Sequence, residues 1–167
     1  MSAPSHPLRP FLPADTMALR ELFAASIEEL CQEDYDEDQR AAWASMAEDA
    51  QAFAEKLGSM LTLVVHDGEE HLGFASLKDN NRIEMLYVHP FYAGEGVGTV
   101  LCDALEKLAA ARGTAEVTTE ASETAVMFFE GRGYVAQMRN TVPIAGEWLS
   151  NTTMKKPLKP SGGKAAK

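Results

Sequence analysis

Between Leu86 and Thr99 the chain reads Leu-Tyr-Val-His-Pro-Phe-Tyr-Ala-Gly-Glu-Gly-Val-Gly-Thr, with Gly94, Gly96 and Gly98 at alternate positions ahead of an apolar helical stripe. Glycines there let the main chain approach a ligand and take conformations closed to other residues. The N–H groups from Gly94 to Thr99, those of Glu95 and Val97 included, would then point at an anion, aided by the dipole of the helix that follows. The implied chemistry is main-chain binding of a diphosphate. A P-loop would need a lysine after Gly98, where Thr99 stands. A dinucleotide fingerprint would need its last glycine at Thr99 or Leu101. The plain alternative is a glycine-rich turn with no ligand.

Other reactive residue types are less informative. The four histidines lie far apart and show no ligand spacing, so no metal site is expected. Ser122 follows a strand and precedes a helix, but no Gly-x-Ser-x-Gly elbow surrounds it, so it reads as a helix cap. Cys31 and Cys102 form no Cys-x-x-Cys pair and read as two free thiols.

The elements that must hold the glycine loop follow from periodicity. A short extended piece, Leu8 to Leu12, ends at Pro13, and Asp15 is placed to cap an amphipathic helix over Thr16 to Cys31. A second helical region runs from about Glu37 to Leu57, with a break near Ser45 or Asp49 and Gly58 as its stop. The period then changes to two: Met60 to His66 and His71 to Leu77 flank Asp67-Gly68 as a hairpin, and Arg82 to Val88 follows after Asp79-Asn80-Asn81. Val97, Val100, Leu101, Ala104, Leu105 and Leu108 mark a long helix stopped by Gly113. Ala115 to Thr119 is a strand, Glu123 to Gly131 a short helix, and Tyr134 to Val142 and Glu147 to Met154 two closing strands. Central hairpins with a helical crossover predict an α/β (α+β) fold, a mixed and mostly antiparallel sheet with helices on both faces.

Composition fits one domain of 167 residues, 46% hydrophobic and 24% charged. A net charge of −10 argues against nucleic acid as a partner and is compatible with a cationic one. The N-terminus has no apolar run that would serve as a signal peptide, and no stretch approaches a membrane span, so a cytoplasmic protein is expected. The basic residues from Lys155 onward sit among Pro and Gly and read as a disordered end, with residues 1–158 as the domain and 159–167 as the tail.

Strand, Leu-Tyr-Val-His-Pro, glycine loop and long helix together resemble the acyl-CoA motif of the GNAT acetyltransferases, whose loop reads Gln/Arg-x-x-Gly-x-Gly/Ala. Gly96 and Gly98 match its last two places, and Ala93 stands where the family has Gln or Arg. Ala121 to Ala125 and Phe128 to Tyr134 are similar to the family's second half-site, where a helix lies beside the CoA arm; this brings in Ser122 and Phe129. His71-Leu72-Gly73-Phe74-Ala75 looks like its third strand. Glu147 to Lys156 resembles the closing strand of one bacterial branch, which also shows a Tyr-x-x-x-Gln-x-x-x-Trp pattern matched by Tyr35, Gln39 and Trp43. The resemblance covers roughly Leu8 to Leu158 and implies a central sheet of about six or seven strands.

It also implies an N-acetyltransferase in which a neutral amine attacks the thioester of acetyl-CoA directly, within a ternary complex. The pantetheine arm would lie beside Leu86, Tyr87 and Val88, and a backbone N–H of that strand would meet the thioester oxygen. Glu84, on the strand face of Leu86 and Val88 by the period of two, is the best placed base; its alternative role is an ion pair with Arg82 or a lysine. A water chain ending at Glu28, Glu29 or Asp34 is another route. Many family members have Tyr where this chain has Phe129, so the general acid is unassigned; Tyr87, Tyr92 and Tyr134 are substitutes, Tyr134 being placed as core. Tyr35, Gln39 and Trp43, at i, i+4 and i+8, would share a helical face and wall the acceptor pocket, or else be core. The acceptor would be a small-molecule amine or an exposed amino group, and pairing through late strands makes a homodimer an open expectation by analogy. The alternative function is a module of the same fold that binds acyl-CoA without turnover.

Overall fold

Asp67-Gly68 divides one apolar stretch into two strands that pair with each other. The result is an antiparallel hairpin of β2 (Leu61–Asp67) and β3 (Glu70–Lys78), and Asp79 and Asn80, both at positive φ, turn the chain back into β4 (Arg82–Val88). The computed structural model describes residues 7–159. The expected disordered tail therefore lies outside the described residues apart from Lys159.

With β1 (Leu8–Pro10), β5 (Glu116–Ser122), β6 (Val135–Ile144) and β7 (Glu147–Pro157), the sheet has seven strands in the order β1-β2-β3-β4-β5-β7-β6. Every neighbouring pair is antiparallel except β4 with β5. This is the mixed, mostly antiparallel sheet that the hairpins and the crossover predict. Lys155 and Lys156, read above as the start of a tail, are strand residues instead. Pairing with β5 and β6 holds them, a long-range effect that local composition does not carry.

Helices cover both faces, and for this reason the central strands are apolar at nearly every position. α1 (Thr16–Leu30) and α3 (Ala50–Gly58) bury Leu19, Phe23, Ile27, Phe53 and Leu57 against Val64, Phe74 and Met85. On the other face, α4 (Val97–Ala111) and α5 (Val126–Gly131) pack Leu101, Leu105 and Phe129 onto Val65, Leu72 and Ile83. α4 comes unusually close to β3 because Gly73 has no side chain: a Cβ there would lie 2.7 Å from Val97 Cγ1. That contact sets the position of the start of α4.

The break expected near Ser45 or Asp49 is present, while the Asp15 cap and the start of the short helix differ from expectation, each for a visible reason. The second helical region is two helices, α2 (Glu37–Ala44) and α3, separated by a 3-10 turn at Ser45–Ala47. Asp36 and Asp49 each accept a bond from the backbone N–H three residues on, so each starts its own helix. Asp15 stands at the start of α1 but makes no side-chain cap, because its carboxylate is taken by Arg9, His71 and the Leu12 N–H. These partners hold it well below the usual carboxylate range, the Arg9 hydrogen bond foremost. The short helix begins at Val126 rather than Glu123, since the Ala125 N–H bonds the Ser122 carbonyl and closes a turn first.

Tyr134, expected in the core, is buried, and its hydroxyl donates to Glu106 Oε2 at 2.7 Å. Lys156 Nζ and Arg132 Nη2 reach Glu106 Oε1 at 2.7 and 3.0 Å, which ties α4 to the end of α5 and to β7. Glu106→Ala strips Lys156 of its ion-pair partner and Tyr134 of its acceptor. Urea unfolding should show a loss of about 2–4 kcal/mol.

Candidate functional site

β4 and β5 run side by side for only two residue pairs, Arg82 with Thr118 and Ile83 with Thr119, and then diverge. The cause lies on the other side of β4. Ser76 faces Met85 and Leu77 faces Ile83, so Glu84 is an extra residue with no opposite number on β3. Such a bulge bends its strand and sharpens the local twist. From that point β5 pairs only with β7, and β4 keeps an open edge along Leu86, Tyr87 and Val88. A cavity of about 790 Å³ fills the fork, with Leu86 to Val88 on one wall and Thr119 to Ser122 on the other. A smaller polar depression of about 290 Å³ lies by the β3–β4 turn, among Lys78, Asp79, Arg82 and Glu116.

One end of the cavity is the glycine loop. Gly94 and Gly96 have φ of 81° and 90°, values that a residue with a Cβ rarely adopts. Gly96 thereby turns the chain directly into α4, whose first main-chain bond runs from the Val100 N–H to the Gly96 carbonyl at 3.0 Å. Among the described residues no acceptor meets the N–H groups of Gly94, Gly96, Val97, Gly98 or Thr99, and all five residues line the cavity. Glu95 differs: its N–H bonds the Tyr92 carbonyl at 3.3 Å, and it does not reach the cavity wall. Among the described residues no Lys, Arg or His lines the cavity, so the loop offers an anion dipoles and hydrogen bonds rather than a formal charge. Phe128 of α5 closes the other side of the loop, since a Cβ on Gly98 would stand 3.3 Å from its Cζ.

At the root of the fork Glu84 lines the cavity, half-buried. Its Oε1 lies 3.1 Å from Arg82 Nε and its Oε2 3.9 Å from Lys56 Nζ. The expected shared face with Leu86 and Val88 does not hold. The bulge breaks the period of two after Ile83 and turns the carboxylate toward Lys56 of α3. Arg82 also reaches Glu120 on β5 at 3.2 Å, so one guanidinium holds a carboxylate from each arm of the fork. Glu28, Glu29 and Asp34 lie outside the cavity lining.

The far end is aromatic. Tyr35 packs edge-on against Trp43 with ring centroids 5.2 Å apart, and Trp43 Nε1 donates to the Tyr87 hydroxyl at 3.2 Å. The Tyr35 hydroxyl donates to the Ser150 carbonyl at 2.6 Å and accepts from the Glu123 N–H at 2.9 Å. Burial pushes the Tyr35 phenol up to about 12 and raises that of Tyr87 further, so both stay neutral. Tyr35, Gln39 and Trp43 do not share a helical face, because α2 starts at Glu37 and Tyr35 precedes it. Gln39 is not in the wall: its amide nitrogen donates to the Trp148 carbonyl and its oxygen accepts from the Asp36 N–H, clamping α2 to β7.

Of the remaining expected residues, Ser122 lines the cavity and its hydroxyl takes the Ala125 N–H, so it closes the turn before α5 and does not cap the helix. Phe129 is buried against Tyr134 and lines the cavity. Of the tyrosines, Tyr87 reaches the cavity; Tyr92 donates to Glu70 and Tyr134 to Glu106, both elsewhere. Cys31 and Cys102 belong to separate core clusters, and burial raises both thiols. Residues not foreseen in the wall include Met46, Ile144, Leu149 and Asn151.

A family model described as an acetyltransferase (GNAT) domain matches residues 31–158. The uncharacterized N-acetyltransferase YafP of Escherichia coli K12 is 30% identical over 148 residues, 89% of this chain and 93% of that protein. The crystal structure of a GCN5-related N-acetyltransferase from Rhodopseudomonas palustris superposes with a TM-score of 0.92 at 53% identity, over 95% of this chain and 99% of that one. The PaiA N-acetyltransferase of Thermoplasma acidophilum, solved in complex with coenzyme A, is similar in fold, with a TM-score of 0.76 at 19% identity over 92% and 99% of the two chains.

Proposed function

This chain belongs to the GNAT acetyltransferase family, and we propose that it transfers an acetyl group from acetyl-CoA to a primary amine by direct attack in a ternary complex. The observation that carries the reading is the set of five acceptor-free amides at the head of α4, which open into the same cleft as the unpaired edge of β4. An anionic diphosphate fits the amides, and a chain bearing its own amide groups fits the strand edge. When bound, acetyl-CoA supplies an acetyl thioester whose carbonyl carbon takes the amine's lone pair as the C–S bond breaks, giving an amide and coenzyme A.

The residues then have separate tasks. The Gly94 to Thr99 loop holds the diphosphate. A main-chain N–H on the open edge of β4 faces the thioester oxygen and stabilises the charge it gains. Glu84 takes the ammonium proton, directly or through a water, so that nitrogen has a lone pair to give. The departing sulfur takes a proton from solvent or from Tyr87, which, unlike Tyr92 and Tyr134, lines the cleft.

Calorimetric titration of coenzyme A into the folded protein, with thiol release from acetyl-CoA on a panel of amines, tests this reading. Absence of binding heat sinks it. Phe129, where many family members carry Tyr, favours one other reading, an acyl-CoA sensor; thermal stabilisation by coenzyme A without turnover of any amine would support that instead.

Ala93 lines the cavity in the loop position where the family has Gln or Arg. Ala93→Arg adds a charge-assisted partner for the diphosphate and should tighten coenzyme A binding about three- to tenfold at low salt. The gain should shrink as ionic strength rises, and calorimetry at two salt concentrations reads both effects.

A further inference from the structure

Resting on the acetyl-transfer reading above, we propose that the acceptor is a small primary amine with a single positive charge on an apolar body, rather than a polyamine, an amino acid or a peptide terminus. Beyond the fork the wall is mainly apolar, with Leu30, Tyr35, Trp43, Met46, Ile144 and Leu149, and its polar members, Asn151 among them, carry no charge. The polar ends of its aromatic members are already used. The Tyr35 hydroxyl spends both its donor and an acceptor site on Ser150 and Glu123, and the Trp43 N–H is on Tyr87. What these aromatic residues offer the acceptor is therefore ring surface, held rigid by bonds that run away from it.

The charge inventory narrows the class further. With no Lys, Arg or His in the lining among the described residues, a carboxylate on the acceptor finds no counter-charge there. Two carboxylates line the cavity, Glu84 and Glu120; Arg82 pairs with both and Lys56 with Glu84, so two negative charges already meet two positive ones. A second ammonium on the acceptor would be desolvated without a free partner. The net charge of −10 invites the opposite conclusion, a polycationic substrate. That charge lies on the outer surface, where it attracts amines of every kind and selects among none of them.

The test uses the full chain, acetyl-CoA and four probes at equal concentration: phenethylamine, spermidine, phenylalanine and a short peptide with a free N-terminus. Thiol release should give phenethylamine a kcat/KM about tenfold or more above each of the others. Equal or better turnover of spermidine, phenylalanine or the peptide overturns the assignment. Met46→Glu, a change at a half-exposed wall position that the fold tolerates, should shift the ratio toward spermidine by about tenfold; an unmoved ratio counts against the proposal. Should nothing be turned over, the fluorescence of Trp43 in coenzyme A-loaded Trp148→Phe protein separates the two failures. Saturable quenching by phenethylamine and not by spermidine keeps the acceptor class while removing acetyl transfer, whereas no response to phenethylamine removes the acceptor class itself.

Discussion

Thr99→Asp is expected to keep the fold intact and to lose about a hundredfold in affinity for coenzyme A. Thr99 is exposed, third in α4, and one of the five residues whose N–H groups meet no acceptor. A carboxylate in the first turn of a helix favours the helix, by about 0.3–1 kcal/mol, because it complements the dipole and accepts a free amide. The same carboxylate competes for the amides that would hold a diphosphate and repels it. At about 5 Å and an effective dielectric near 20, one unit charge against another costs about 3 kcal/mol. The two effects have opposite signs on stability and binding, so a folding defect cannot mimic the result. The urea midpoint should hold or rise while the dissociation constant climbs, and added salt should soften the loss. Thr99→Ser, which keeps the amide and adds no charge, should bind nearly as the parent does. Parental affinity in the aspartate variant would mean that the diphosphate sits elsewhere.

How much of this was legible in the sequence depends on how local each feature is. The apolar stripe of α4, its glycine entry and the Asp67-Gly68 hairpin are encoded within a few residues of one another, and each stands where periodicity and turn chemistry put it. The bulge at Glu84 is not local. It is a mismatch between two strands, visible only when Ser76 and Leu77 are laid against Met85 and Ile83, and it both opens the fork and redirects the carboxylate. Gln39 illustrates another limit. Its spacing from Tyr35 and Trp43 suggested a pocket face, yet the Asp36 capping box and the Trp148 carbonyl, 109 positions away, take its amide. Ile144 and Leu149 reach the cavity because the hairpin of β6 and β7 folds back over it, and nothing near them in the chain announces this. The capping-box pattern Asp-x-x-Gln, read from Asp36 to Gln39, marks Gln39 as occupied; no comparable local signal marks the hairpin residues.

The second large effect is expected at Glu84. Glu84→Gln should lower kcat/KM for the amine by about a hundredfold or more, within the range general-base catalysis ordinarily supplies, while leaving coenzyme A affinity unchanged. Glutamine keeps the volume and an acceptor oxygen for Arg82 and loses only the charge that takes the proton. The partly exposed pairs to Lys56 and Arg82 are worth about 0–1 kcal/mol each, so stability should barely move. A pH series distinguishes proton transfer from mere positioning. An aliphatic ammonium releases its own proton near pH 10 or so, and as pH rises toward that value the amine arrives already neutral. The deficit of the variant should then narrow steadily with pH, whereas a variant that had misplaced the acceptor would stay impaired at every pH. Full activity of Glu84→Gln across the whole range would remove the residue from the mechanism and leave the ion pairs as its role. A narrowing deficit has one physical source, a proton that Glu84 would otherwise have accepted at the root of the fork.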